Sequence, residues 1–286
     1  MFQSPLPPIA PHDPPSLLLE PDSPWTSTYA TLSFHKSNTI RLLNFPAAFT
    51  ADLVPILHDS WPLGIQSQYQ HQSPFAAEQS AEFKFRGKPF GGSSAQQYVG
   101  GMRLVRNILS ALHDHGWELV TSVMCSRRVS AKDTLVFRQR RPVCGSAGLP
   151  GAPPLEWLVL APVARDKLRV VYDVAGAKQK EEADEDGRNH DYLGHLVSDI
   201  KNVLTSLSLF EKGNWDHESF EIQLRGNPWR SRGDASVTVR TFLIKLFELV
   251  EGHGWRAYVT LAQRTGDDEK RLPDTWYFVR ERRQAV

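Results

Sequence analysis

The sequence predicts an α+β fold made of two tandem ββαβαββ repeats, each a mainly antiparallel sheet with two helices on one face, packed together as a pseudo-twofold pair. Three observations carry this. A Ser-x-Glu sequence leads into an alternating strand at Ala81–Arg86 and again at Phe220–Arg225. Each strand runs into an Arg-Gly-x-Pro-aromatic turn, Arg86-Gly87-Lys88-Pro89-Phe90 in one copy and Arg225-Gly226-Asn227-Pro228-Trp229 in the other. A helical apolar stripe follows each turn and closes on the same tripeptide, His115-Gly116-Trp117 and His253-Gly254-Trp255.

Taken in order, residues 1–24 hold eight prolines with Leu17–Leu19 as the one apolar cluster, which predicts a disordered tail. The first repeat is expected over 25–141. Its opening hairpin is Tyr29–Phe34 with Thr39–Phe45, turning at His35-Lys36-Ser37-Asn38. Phe49, Leu53, Ile56 and Leu57 then share a helical face, although Pro55 removes one backbone hydrogen bond there. The Gln- and Ser-rich passage from Gln66 to Gln79 reads as a long surface loop.

In the repeated strand Phe83 and Phe85 alternate with Glu82, Lys84 and Arg86, the period of a sheet with one buried face. Ser93 or Ser94 caps the next helix, whose stripe is Val105, Ile108, Leu109 and Leu112, and Gly116 ends it. Trp117–Cys125 and Thr134–Gln139 form the closing hairpin.

Residues 142–154 form a Pro/Gly/Ala linker, and the second repeat is expected over 155–283. It opens with Leu155–Leu160 and Leu168–Val174, carries an acidic loop at 177–188, and continues with a helix bearing Leu193, Leu196, Val197, Ile200, Leu204 and Leu207. Phe220, Ile222 and Leu224 point inward from its repeated strand, and Val239, Leu243, Leu246, Phe247 and Val250 stripe its second helix. Trp255–Gln263 and Thr275–Arg280 close it, repeating the Asp-Thr-x-x-Phe of Asp133–Phe137 at Asp274–Phe278. Leu155–Leu160 and Trp117–Val123 are apolar on both faces, so the helix-free side needs a lid, and the partner repeat is the economical one.

Composition narrows the function classes. A net charge of +1 gives no global pull toward nucleic acid or an acidic membrane, and no run reaches the roughly 18 apolar residues of a membrane span. Cys125 and Cys144 are poorly placed for a disulfide framework, and the first basic residue is Lys36, which argues against a leader peptide. Cytoplasm or nucleus is the expected location.

Several motifs invite chemistry. The Arg-Gly-x-Pro-aromatic turns lie before helix N-termini, where free N–H groups favour anions; neither matches a Walker loop or GxGxxG. Arg86 in the first turn, with Arg225, Trp229, Arg230 and Arg232 in the second, are the candidate ligand residues there. Arg127, Arg128, Lys132, Arg138, Arg140 and Arg141 form a basic cluster opposed by Asp133 alone, suited to phosphates. Six such charges on hairpin ends also discourage edge pairing. The His residues lack zinc spacing, and GxSxG and HExxH are absent, so no metal, cofactor or catalytic residue is assigned.

A scaffold duplicated without a duplicated catalytic set points to a non-enzymatic intracellular interaction or adaptor protein with a protein partner. The alternatives are a module binding an anionic ligand, phosphoinositide or RNA, through the basic residues, and an enzyme with a cleft between the repeats.

Overall fold

A computed structural model describes residues 27–71, 80–92, 94–125, 132–140, 153–173, 188–216, 219–262 and 273–282; of residues 27, 140, 173 and 188–192 only the backbone is considered. The Pro-rich tail, residues 142–152 of the linker and the acidic loop apart from Arg188 lie outside the described residues.

The first repeat comprises β1 (Ser27–His35), β2 (Thr39–Leu43), α1 (Ala47–Ser60), β3 (Ile65–Tyr69), β4 (Ser80–Phe85), α2 (Ala95–Asp114), β5 (Trp117–Val123) and β6 (Thr134–Arg140). The second comprises β7 (Leu155–Val163), β8 (Lys167–Asp173), α3 (Arg188–Ser206), β9 (Phe210–Asp216), β10 (Ser219–Leu224), α4 (Asp234–Gly252), β11 (Arg256–Leu261) and β12 (Thr275–Glu281). Two six-stranded antiparallel sheets result, ordered β3-β4-β2-β1-β6-β5 and β9-β10-β8-β7-β12-β11. The strand order is the same in both, as expected of a duplicated unit.

The expected ββαβαββ plan gains one strand per repeat and becomes ββαββαββ. The added strands, β3 and β9, are sheet edges, and neither buries a side chain fully. The passage expected to be a loop from Gln66 therefore begins as β3. Pro55 sits inside α1 without ending it, while Phe49, Leu53 and Leu57 bury its inner face.

Two hydrophobic clusters organise the packing. The second contains α3, α4 and the inner face of the second sheet, including Leu158, Leu160, Ile222 and Phe278. The first contains the whole core of repeat one and also the opposite face of the second sheet, Trp157, Val159, Ala161, Val163, Tyr277 and Val279. Helix α2 lies against β7, and the edges β5 and β11 meet. The layers thus run sheet, helices, sheet, helices.

The partner repeat is the lid that the apolar outer face of the second sheet requires. The surfaces that meet are nevertheless unlike: the helix side of repeat one covers the helix-free side of repeat two. The expected α+β tandem pair holds, and within it the repeats stack helix side on sheet side. The physical cause of this stacking lies in side-chain chemistry. Register equivalence places Tyr29, Thr31, Ser33 and His35 of β1 where β7 has Trp157, Val159, Ala161 and Val163, so only the second sheet has a greasy outer face to bury.

Helix α2 records the same asymmetry. It buries Val99, Met102, Leu104, Val105, Arg106, Ile108, Leu109 and Leu112, leaving only the side of Arg103, Asn107, Ser110 and Asp114 toward solvent, whereas α4 buries only Phe242, Leu246 and Val250. A buried hydrogen bond crosses the seam, the Ala262 N–H donating to Asp133 Oδ2 at 2.7 Å. Trp157 and Tyr258 meet edge to face at 5.0 Å within it. Burial pushes the Tyr258 hydroxyl up to about 12, despite the opposing charge of Arg256.

Candidate functional site

The repeated Arg-Gly-x-Pro-aromatic turns are built as anchors. Gly87 and Gly226 both take φ of 72°, the left-handed region that other residues resist. In repeat one Pro89 and Phe90 are buried, and the Phe90 ring packs edge-on against Phe34 at 5.2 Å and Phe85 at 6.1 Å. The Trp61 indole N–H donates to the Arg86 carbonyl at 2.7 Å, and the buried Lys132 ammonium donates to the Phe90 carbonyl at 3.1 Å. Helix α2 approaches so closely that a Cβ on Gly101 would meet the Pro89 carbonyl oxygen at 2.0 Å.

In repeat two the Trp229 indole N–H donates to the Lys167 carbonyl at 2.8 Å while its ring packs against Phe242 and Trp276. The ring of Trp229 is committed to the core.

The basic candidates are dispersed. Arg86, Arg225, Arg230 and Arg232 are exposed and make no ion pair among the described residues. Arg225, Arg230 and Arg232 precede α4, whose N-cap Gly233 offers no side-chain cap; Ser94 caps α2 by accepting from the Gln97 N–H. Arg138 is paired across the strands, its Nη2 donating to Glu118 Oε2 at 2.8 Å, and this hydrogen bond raises its pKa. Arg127 and Arg128 lie outside the described residues, as does the side chain of Arg140.

Two polar constellations that sequence reasoning did not single out recur in both repeats. On the helix-free face, Arg41 of β2 pairs with Glu82 of β4 through Nε at 3.1 Å and Nη2 at 2.7 Å, and Arg169 of β8 pairs with Glu221 of β10 at the same register positions. Ser80 and Ser219, two residues before each Glu, hydrogen-bond across their hairpins to His71 and to Asp216 with Arg169. Ser-x-Glu was visible as a repeat; its Arg partner, on a strand 41 residues earlier in one copy and 52 in the other, was not.

The second constellation explains the repeated His. His115 Nε2 lies 3.4 Å from Asp52 Oδ2, and His253 Nε2 lies 2.9 Å from Asp199 Oδ2, so each His-Gly-Trp ties the two helices of its own repeat.

What differs between the repeats is exposure. The Arg169 side chain is 2% exposed and that of Arg41 is 38% exposed. Around Arg41 the outer face of the first sheet is open: Tyr29 and Leu43 are exposed apolar residues, and Ser33, His35, Lys84 and Arg138 are partly exposed. Ser33 Oγ and His35 Nε2 are 2.8 Å apart. Burial and then the charge of Arg41 lower the His35 pKa, so the ring is neutral at physiological pH. Glu82 accepts from both Arg41 and His71; these bonds outweigh the cost of burial and hold its pKa below 4.5. Tyr29 and Arg41 face outward because the period of two sends Ala30, Leu32 and Leu42 into the core.

A cavity between α1 and the β3–β4 hairpin is lined by Phe45, Ala51, Val54, Gln68 and Ser80 and holds no ionisable side chain. Cys125 is an exposed free thiol. Among the described residues no group of His, Cys, Asp and Glu is arranged to hold a metal ion, and no helix is long and apolar enough to cross a membrane.

One family model matches the chain twice, over residues 28–138 and 156–279, and these matches cover most of its length. The chain belongs to that family and carries its domain in two copies. No curated protein and no solved structure matches it.

Proposed function

We propose that the protein is a non-enzymatic interaction module whose partner-facing surface is the helix-free side of the first sheet. One observation carries this: two equivalent sheets share strand order and the same Arg-Glu brace, yet one buries its outer side under α2 while the other leaves Tyr29, Leu43, Arg41 and Arg138 accessible. A face with exposed aromatic and aliphatic side chains rimmed by paired charges suits a protein partner. The duplicated Arg-Glu and His-Asp pairs support a scaffold role, since each ties elements of its own repeat together. The exposed Cys125 thiol favours a reducing compartment, cytoplasm or nucleus.

The full chain immobilised on beads should retain a defined set of proteins, and Tyr29→Glu should release it while Arg86→Glu leaves it bound. Retention unchanged by Tyr29→Glu would contradict the reading.

A second reading, an anionic ligand held by Arg225, Arg230 and Arg232, is favoured by the N-cap of α4 lacking a side-chain acceptor. It requires salt-sensitive binding to phosphoinositide vesicles or RNA that is lost in Arg230→Glu/Arg232→Glu. Equal binding by that variant rules it out.

A further inference from the structure

We propose that the molecule's two open faces, the outer sector of α4 and the helix-free side of the first sheet, bind each other in neighbouring copies. The chain then assembles head to tail, repeating between molecules the contact it makes within itself. This rests on the reading of the open sheet as an interaction surface and names a second copy as its occupant.

The internal contact supplies the template. Counting back from the two His-Gly-Trp tripeptides, Val99, Met102 and Arg106 of α2 correspond to Val237, Arg240 and Ile244 of α4. The α2 set is buried, at 2%, 0% and 7% exposure, on the helix that lies against the second sheet. The α4 set lacks such a cover: Val237 and Ile244 are each 61% exposed. Large aliphatic side chains this open, aligned on one helix, are a contact surface awaiting a partner.

The opposite end of the molecule offers the matching surface. Tyr29 and Leu43 occupy the register positions of Trp157 and Val171, which the internal contact buries to 2% and 1%. Arg41 and Glu82 are no obstacle to cover, because the covered sheet contains the same brace in Arg169 and Glu221. Thr31, Ser33 and His35, standing where that sheet has Val159, Ala161 and Val163, make the contact between copies the more polar and the weaker of the two. The charges complement one another. The sheet carries Arg41, Lys84 and Arg138 against Glu82 and Glu118, and the outer side of α4 carries Glu248 and Glu251 against Arg240. Because the two surfaces differ, the contact is heterologous, and each added copy leaves one of each kind open.

Sedimentation equilibrium of the purified full chain, with Tyr29→Glu and Ile244→Glu, tests this. Both substitutions are on exposed positions, and circular dichroism verifies that each variant is folded. The average mass of the wild type should rise with concentration, and each variant alone should stay monomeric. An equal mixture of the two should stop at twice the monomer mass, since Ile244→Glu retains an intact sheet face and Tyr29→Glu an intact helix face.

A wild type that remains monomeric to its solubility limit overturns the inference, as does an assembling Tyr29→Glu chain or a mixture without dimers. A monomeric wild type that still captures a foreign protein through Tyr29 removes self-assembly alone and leaves the interaction reading standing. Loss of capture together with intact self-assembly does the reverse.

Discussion

At the scale of residues, one motif in two environments gives a controlled comparison. Arg169 is buried and Glu221 largely so, and Glu221→Gln leaves the guanidinium with Asp216 as its remaining carboxylate; the loss should be about 1–3 kcal/mol in urea unfolding. Glu82→Gln at the equivalent, solvent-screened pair should cost about 0–1 kcal/mol at neutral pH. The smaller effect depends on pH in a definite direction. The folded pKa of Glu82 lies below 4.5, so an unfolded chain takes up the proton first as the pH falls. The stabilisation is therefore complete above about 4.5 and disappears as the pH drops through the lower folded value, and wild type and Glu82→Gln should converge in strong acid. Converging unfolding midpoints check this; a gap that widens in acid contradicts it. Asp133→Ala strands the buried Ala262 N–H and should cost about 1–3 kcal/mol, with Asp133→Asn recovering most of it by keeping an acceptor. The sequence showed Ser80-Ala81-Glu82 repeating as Ser219-Phe220-Glu221 because neighbours along the chain stay legible. Arg41 and Arg169 were invisible as partners because pairing across strands depends on register.

At the scale of elements, α2 and α4 are one helix in two settings. Leu109→Ala removes a side chain held between layers and should cost about 2–5 kcal/mol, whereas Ile244→Ala on the exposed sector should change monomer stability by less than about 0.5 kcal/mol. Equal losses in chemical denaturation would mean that α2 is not covered as described. Gly101→Ala should also destabilise, by about 1–3 kcal/mol, because its Cβ collides with the Pro89 carbonyl rather than with a movable side chain. The central strands were readable from alternation at Phe83 and Phe85 and at Phe220, Ile222 and Leu224. Strands β3 and β9 were not, since an edge such as Ile65-Gln66-Ser67-Gln68-Tyr69 buries neither face fully and leaves no apolar period to detect. The continuous apolar run of Leu155–Leu160 did signal a sheet covered on both sides, but which surface covered it depended on the outer residues of β1, where polar side chains exclude the like-to-like arrangement.

Across the whole molecule the repeats share one core, with α2 between the sheets and the Asp133 to Ala262 hydrogen bond across the seam. Separate repeats would melt independently, with Trp61 and Trp117 reporting one and Trp157, Trp229 and Trp255 the other. A common core makes the unfolding of either expose the apolar side of its neighbour, so the two must unfold together. The decisive measurement is equilibrium urea unfolding of the full chain, followed by amide exchange resolved along β1 to β6 and β7 to β12, in wild type and Leu109→Ala. One coincident transition for both repeats, moved to lower urea in both by a substitution in the first, is the predicted result. Two transitions, with only the first displaced, would contradict the shared core.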